Sequence, residues 1–476
     1  MWGLSARRLQ TVSKYVRNYS TSRPNDVVIL SAARTPIGCF NGSLKKVSAV
    51  ELGATALKAV VDRAGIKPEQ VEEVFLGNVL QANLGQSPAR QAVIKAGLPN
   101  STEATTINKV CASGMKAVIF AAQSLLLGDR SIMAAGGMES MSNAPYYVPR
   151  GATYGHQFLV DAIIKDGLWD GNCAENTATK FDISREEQDS HAIESYKRSA
   201  EAWKNGIFKA EIVPVVVKDK KKEIIVDEDE EYKNVKFDKI PSLKPAFQPD
   251  GTVTAANSST INDGASALLL STRAKADELG LKPLARIISY GDTAVDPIDF
   301  TIAPSKALPV ALKKANLKLS DISLFEFNEA FSVVARANEK ILELDPAKVN
   351  VAGGAVSLGH PIGSSGSRIL VTLIHLLKQG QLGAAAICNG GGAASAMYIV
   401  PLILNLSGSV AYYYTLGQAD LSLAVPITNS LTFIFTTLAA ALLGEDIGDK
   451  GASWMGMGLV VIGVGLCVGS KADELA

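Results

Sequence analysis

Strand and helix alternate along most of this chain. The alternation recurs after residue 284, and glycine is abundant while aromatics are few. Together these predict an α/β fold made of two similar halves, with a mostly parallel sheet and helices on its faces. At 476 residues the chain is long enough for two domains and a large core.

The elements follow in order. Residues 27–31 (VVILS) are a short apolar run closed by a Gly/Pro loop, the signature of a buried strand. Val50, Leu52, Ala56, Leu57, Val60 and Val61 recur at helical spacing over 49–64. VEEVFLGNVL returns to strand, 87–97 to helix, and TTINKV to strand. CASGMKAVIFAAQSLLLG is a strongly apolar helix, and SIMAAGGMESMSN is a strand with a glycine turn. From 141 to about 260 the chain is polar and loop-rich. It carries a charged helix (SREEQDSHAIESYKRSAEAWKNG) and a Lys-rich and acidic run (KDKKKEIIVDEDEEYK) that reads as solvated surface. Insertions of this kind commonly carry binding sites. LARIISYG then opens the second half as a strand. A helix near 305–315, the segment ISLFEFNEAFSVVARANEKIL and the strand AAAICN follow. A short strand runs into a helix at KVCASGMKAV and again at EFNEAFSVVA, which we read as the trace of a duplication.

The two ends differ from this body. The stretch before Asp26 has no acid and carries Arg7, Arg8, Lys14, Arg17 and Arg23, with Leu9, Val12 and Val16 at roughly helical spacing. We read residues 1–20 as a mitochondrial presequence; a secretory signal would need an unbroken apolar core after the charges. Beyond 400, residues 421–443 and 452–469 contain no charge and are long enough to span a bilayer. Residues 401–476 therefore read as a hydrophobic helical hairpin in possible contact with a membrane. They also read as a helical pair packed on the body, or as a second reading frame joined to the first.

Net charge is +0, with 47 basic and 47 acidic residues, which excludes an electrostatic nucleic-acid binder. The 5 cysteines are dispersed and odd in number, without a C-x-x-C pair. That argues against a disulfide framework or a zinc site and fits a reducing compartment.

Four motifs carry chemistry. KVCASGMKA puts Cys111 between a strand and a helix, where N–H groups and the helix dipole favour thiolate and lower its pKa. Taken alone, such a cysteine is more often core. GGAVSLGHPIGSSG holds His360 in a glycine-rich loop, as a base or as a loop histidine satisfied by backbone. ICNGGGAASAM sets Cys388 at a strand end before Gly390, Gly391 and Gly392, whose exposed N–H groups suit an oxyanion hole, a phosphate turn or a plain tight turn. FEFNEAF places Asn328 and Glu329 at a helix start, where an N-cap is the plainer reading.

Taken together, the order Cys…Asn-Glu-Ala-Phe…Gly-His-Pro…Cys-x-Gly-Gly-Gly resembles the thiolase family. SAARTPIG, GNVLQANLGQSPAR, GGMESMSN, CAEN, ISREEQD, GTVTAANSS and NDGASALLL extend the likeness from about residue 26 to about 399. The resemblance is strongest to the short-chain branch in its mitochondrial form. It implies a thiolase fold: a duplicated five-layer αβαβα sandwich, with an N-terminal domain over 26–285 that includes a loop domain at 141–260, and a C-terminal domain over 286–400. It implies assembly as a homotetramer. The implied reaction is reversible Claisen condensation of two acetyl-CoA to acetoacetyl-CoA plus CoA, or thiolysis of short 3-ketoacyl-CoA including 2-methylacetoacetyl-CoA, with CoA as substrate and no organic cofactor.

By matching, Cys111 is the acetyl-accepting nucleophile, His360 its base and Cys388 the second acid/base. Asn328 holds a water which, with His360, stabilises the enolate. The N–H groups of Cys111 and Gly390 stabilise the acyl oxyanion. Asn234, Val235, Lys236, Lys239 and Ser259 fall where the family contacts CoA. Ala255, Ala256, Ser258 and Val356 fall where the mitochondrial branch binds potassium through main-chain oxygens. One stretch departs. DGLWDGNCAEN is shorter than the family's segment and lacks its His-Met and a potassium-site Tyr, which implies weaker CoA binding. The competing function is a catalytically impaired thiolase-like protein anchored to a membrane by its tail. A ketoacyl- or hydroxymethylglutaryl-type synthase is disfavoured by Cys388 in C-x-G-G-G.

Overall fold

The computed structural model describes residues 23–148, 160–167, 171–219 and 222–402. The expected presequence at 1–20, the tail beyond Leu402 and Leu168–Asp170 of the shortened segment lie outside the described residues.

The first half runs β1 (Val27–Arg34), β2 (Gly38–Cys39), α1 (Ala49–Ala64), β3 (Glu73–Gly77), α2 (Pro88–Lys95), β4 (Glu103–Ile107), α3 (Ser113–Leu127) and β5 (Ile132–Ser140). The insertion contributes β6 (Tyr146–Tyr147), β7 (Val160–Asp161), α4 (Asn172–Lys180), α5 (Arg185–Lys204) and the hairpin β8 (Val215–Asp219) and β9 (Lys222–Val226). The chain then returns to the body with β10 (Asn262–Thr272) and α6 (Arg273–Glu278). The second half runs β11 (Ala285–Ala294), α7 (Pro304–Ala315), β12 (Ile322–Phe327), α8 (Ser332–Leu342), α9 (Ala355–Leu358), α10 (Ser365–Leu376), β13 (Leu382–Asn389) and β14 (Ala393–Pro401).

Local chemistry sets the helix limits. Ser48 accepts from Glu51 N while Glu51 answers to the Ser48 N–H, and Gly65 ends α1 at φ 68. The polar α5 starts with the same reciprocal cap between Ser184 and Glu187.

The sheet is mixed, not mostly parallel. Its ten strands include the path β12-β13-β14-β11-β1-β10-β5-β3-β4, with β2 beside β10. Only β12–β13, β3–β4 and β3–β5 are parallel; the pairs through the centre are antiparallel. The error has a physical source. Central strands buried on both faces read as apolar runs whichever way they point. Val28 and Leu30 face one core and Ile29 another; Leu269 opposes Leu268 and Leu270 in the same way.

Three apolar layers result. One lies between α1, α2 and the first half-sheet, and one between α7 and the second. The middle one holds α3 and α10, each touching strands of both halves. Helix, half-sheet, helix pair, half-sheet, helix gives the five layers. The segment Val110–Leu127 is the one described stretch long and apolar enough to cross a membrane, and its apolarity is explained by this double-sided burial.

The duplication is real, but its residue pairing differs from the one read in sequence. In each half the order is strand, helix, strand, helix, short parallel pairing, helix and two antiparallel strands. The equivalent of β4 is the bridge of Val349 to Phe325. The Cys111 turn, feeding α3, therefore corresponds to the His360 loop feeding α10. The segment at Asn328 corresponds instead to Asn78, which follows β3.

The acidic run is also more than solvated surface. Asp229 and Glu211 are buried with Arg34, whose Nη1 and Nη2 donate to Asp229 at 2.8 and 2.9 Å and whose Nε donates to Glu211 at 2.5 Å. This charge cluster ties the insertion to β1.

The half-sheets and helix turns meet without room for side chains at some points. A Cβ on Gly137 would overlap the carbonyl oxygen of Gly363. Gly137→Ala should therefore cost about 3 kcal/mol, since overpacked cores lose ~1–3 kcal/mol or more. Gly65→Ala, with open space but φ 68, should cost only about 1 kcal/mol. Denaturant midpoints of the two variants check this; equal losses would refute the packing argument.

Candidate active site

Each half delivers one helix to the middle layer, and the turns feeding these helices meet. Cys111 follows Val110, a β-branched residue at φ 48, in the left-handed region. Such a conformation costs about 1–3 kcal/mol and persists where neighbours enforce it. Here Val110 N donates to Asn108 Oδ1 at 3.0 Å, Lys109 N donates to Ser113 Oγ at 2.8 Å, and Ser113 Oγ donates to Val110 O at 2.5 Å. Lys109 Nζ donates to Asp292 Oδ1 at 2.6 Å and Lys116 Nζ to Asp292 Oδ2 at 2.7 Å, joining the turn to the second half. Burial opposes the Asp292 charge, but the bonds from Lys109, Lys116 and Ser395 prevail and hold its carboxyl down at about 2.

His360 is buried and held at both ends. Its N–H donates to Asn262 Oδ1 at 2.9 Å. Ser365 Oγ donates to Pro361 O at 3.0 Å, so it accepts from His360 Nδ1 at 2.6 Å. That tautomer makes Nε2 an acceptor, which takes a long hydrogen bond from Asn328 Nδ2 at 3.4 Å. Burial, with a smaller push from the Arg368 charge, lowers the imidazole to about 3. The ring is therefore neutral at any physiological pH.

Asn328 is not a helix cap: α8 starts four residues later with Phe331 as its N-cap. Its backbone N–H donates to Ala386 O at 3.0 Å, and its buried Oδ1 has no protein partner. Glu329 is buried too, accepting from Ser195 Oγ at 2.8 Å, Asn350 Nδ2 at 2.6 Å and Val356 N at 3.2 Å.

Cys388 stands next to last in β13, opposite Ala394. It is fully buried beside Cys173, Phe300, Ala330 and Val334. Burial, then the charge Cys111 carries when it ionises, pushes its thiol above the ordinary range. The two sulfurs are thus within electrostatic reach of each other. The backbone N–H groups of Gly390 and of Cys111 itself favour the Cys111 thiolate. They do not lower its pKa overall as expected: burial outweighs them and pushes the thiol up to about 11.

A cavity of about 660 Å³ opens onto Cys111, His360 and Gly390. Its walls are mostly apolar (Met141, Phe247, Phe300, Phe331, Ile362), with Ser258, Ser259 and Thr260 on one side. A thiol beside two N–H groups, a neutral imidazole with Nε2 as its acceptor and a second dry thiol can form and break a thioester and move a proton beside it.

Comparison with known proteins decides the family. Residues 27–274 match the thiolase N-terminal domain and residues 281–401 the thiolase C-terminal domain. The chain belongs to the thiolase family. It is 60% identical over 397 residues to acetyl-CoA acetyltransferase A, mitochondrial, of Xenopus laevis, covering 81% of this chain and 94% of that one. It is 57% identical over 411 residues to the mitochondrial acetyl-CoA acetyltransferase of Bos taurus, covering 84% and 97%. The Acat5 thiolase of Ascaris suum, solved in complex with coenzyme A, superposes at TM-score 0.77 with 50% identity, covering 79% of this chain and all of that one. Residues 392–468 match a further family, "Putative transmembrane family 234".

The structure gathers some of the motif-matched thiolase positions and not others. Cys111, His360, Gly390, Ser258 and Ser259 line the one cavity. Asn234, Val235, Lys236 and Lys239 lie off its lining: Asn234, Lys236 and Lys239 are exposed, and Val235 packs near Val356. Ala255 and Ala256 share a turn with Ser258, pinned by Thr254 N donating to Asn257 Oδ1 at 2.8 Å and Ser258 Oγ to Thr254 O at 2.8 Å. Sequence reasoning missed Val110, Asn262 and Ser365. Only Ser365 left a trace, as a hydroxyl one helical turn after the Gly-His-Pro run.

A thiol near 11 beside a neutral imidazole is not an ion pair at rest. Alkylation of Cys111 by iodoacetamide should climb about tenfold per pH unit between about 7 and 9, as thiolate does far below its pKa. A rate already on its plateau at neutral pH, read by mass spectrometry of the Cys111 peptide, would contradict this.

Proposed function

We propose that this thiolase is an acetyl-CoA C-acetyltransferase, interconverting two acetyl-CoA with acetoacetyl-CoA plus CoA through acetyl-Cys111. The observation carrying this is the shared cavity, onto which Cys111, His360 and Gly390 all open, with the N–H groups of Cys111 and Gly390 favouring the Cys111 thiolate. The names borne by the Xenopus and Bos relatives support the substrate class.

In thiolysis, Cys111 sulfur attacks the ketone carbon of acetoacetyl-CoA as His360 Nε2 takes its proton. The two N–H groups receive the developing oxyanion; losing one such donor costs ~3 kcal/mol. The bond between the second and third acyl carbons breaks. Its electrons leave as the enolate of acetyl-CoA, stabilised on the Asn328 and His360 side and protonated by Cys388. The thiol of CoA then gives its proton to the Cys388 thiolate and attacks acetyl-Cys111; the Cys111 sulfur leaves with the proton held on His360, and the second acetyl-CoA is released. The attacking sulfur gives up one proton and the leaving carbon takes another, in successive steps, which is why two thiols serve one site.

Asn234, Val235, Lys236, Lys239 and Ser259 are proposed to hold CoA along the insertion. Ala255, Ala256, Ser258 and Val356 would offer potassium uncharged main-chain oxygens, a donor set suited to a hard cation. The ion would order that loop and take no part in bond making. Assembly as a homotetramer rests on family resemblance. Placement in the mitochondrial matrix rests on the basic N-terminus and on the relatives' names.

Thiolysis of acetoacetyl-CoA by the full-length chain tests the reading, with and without potassium. Cys111→Ala should abolish turnover. Cys388→Ala should leave acetylation of Cys111 by acetyl-CoA but block carbon–carbon bond cleavage. Turnover at background in the unaltered chain would favour the impaired, membrane-anchored alternative. Restoring the shortened segment around Trp169 should tighten CoA; an unchanged dissociation constant would refute its role.

The charge-free runs at 421–443 and 452–469 and the likeness to a transmembrane family support membrane contact through residues 401–476. Under alkaline carbonate extraction of mitochondria the protein should stay with the pellet. Release into the supernatant would sink this part of the proposal.

A further inference from the structure

The duplication places a carboxylate where the reaction site has a sulfur. In the first half Gly77 pairs with Gly137, and Asn78 follows; in the second Phe327 pairs with Ala386, and Asn328 follows. Two residues beyond Gly137 is Glu139, and two beyond Ala386 is Cys388. The neighbouring strands agree, since Glu139 opposes Gly264 and Cys388 opposes Ala394. The feeding turns correspond in the same way. Cys111 stands two residues before α3 and Gly363 two residues before α10. Cys388 faces Cys111, and by the same symmetry Glu139 faces Gly363.

Glu139 uses that place to clamp. It is fully buried. Its Oε2 accepts from Gly363 N at 3.0 Å and Val79 N at 2.9 Å. Its Oε1 accepts from Asn78 Nδ2 at 2.7 Å and Leu80 N at 3.2 Å. The His360 loop is thereby fixed at its end by Glu139 and at its start by Asn262. Glu139 does not line the reaction cavity. Burial pushes its carboxyl up to about 7 against the pull of these donors, a cost that a merely structural filler would avoid.

We propose that Glu139 is a positioning residue for catalysis: it locks Gly363, and with it the His360 loop, in the register that aims Nε2 at Cys111. This rests on the acetyl-transfer reading above. A misplacement of about 1 Å in such a loop costs up to ~100-fold in rate.

Glu139→Gln, made in the full-length chain, keeps the shape and turns two acceptor positions into donors. Expected are a fall of about tenfold or more in kcat and in the single-turnover rate of Cys111 acetylation by acetyl-CoA, with CoA dissociation constant and KM within about twofold of the parent. The pair Glu139→Gln with Asn78→Asp restores a donor–acceptor match and should regain part of the loss. A variant with parental kcat and acetylation rate overturns the proposal. So does a kcat loss matched by loss of CoA binding and unrescued by the pair, which marks a general structural role. If Glu139→Gln does not fold, Asn78→Ala, which removes one of the carboxylate's donors, should slow acetylation about threefold without weakening CoA; an unaltered rate overturns the proposal there too. The unaltered chain runs in every assay, so absent parental turnover would indict the acetyl-transfer reading instead.

Discussion

The structure depends on one seam. Two helices, α3 and α10, begin at the same dry plane between two half-sheets, and their feeding turns must touch. Glycines make the approach: Gly77, Gly137 and Gly366 each stand where a side chain would meet backbone of the facing half. Close approach brings Cys111 of one turn against His360 and Gly390 of the other half. Neither half holds a complete site, so the chemistry exists only while the seam is closed.

Dryness at the seam sets the electrostatics. Thiols and imidazole are all pushed toward their neutral forms, because burial penalises charge more than a few N–H groups relieve it. The site is thus poised to create charge only when a thioester occupies it and the N–H pair has an oxyanion to receive. Buried charge is kept behind the seam, fully paired at Arg34 and only partly at Arg368, whose Nε and Nη2 have no partner. Arg34 is neutralised by Asp229 and Glu211, and Arg368 lies 3.5 Å from Glu326. Removing one member of such a group strands the others, at about 3–5 kcal/mol. Arg368 also reaches His360, adding to the forces that keep the ring unprotonated.

The legible part of this was what leaves a local trace. Helical spacing placed α1 at its observed bounds, and the order of four short motifs named the family. Strand direction was not legible, because Val27–Leu30 and Leu268–Leu270 bury both faces and carry no alternation to read. The fate of Asp229 was hidden because a buried acid and a solvated one look alike inside KKKEIIVDEDEE. The Cys111 pKa was misjudged because helix dipole and N–H donors are visible in sequence while enclosure is not. Val110 gave no sign, since nothing in valine advertises φ 48; its turn is enforced by Asn108, Ser113 and the packing around them.

The repeat pairing read from sequence failed for a reason that also explains the site. The strand-to-helix passages at Cys111 and Asn328 look alike, yet topology aligns Cys111 with Gly363 and Asn328 with Asn78. Function has driven the matched positions apart. Where, on the proposed reading, one half has a sulfur to carry an acyl group, the other has only a backbone N–H at Gly363. Where one half has a thiol at the strand end, the proposed proton carrier, the other has Glu139, which gathers that N–H and three more donors. A duplicated unit supplies two geometrically equivalent corners at one seam. Filling one with reactive groups and the other with a clamp makes the second corner the scaffold of the first, and it is the difference between Cys388 and Glu139 that records the division.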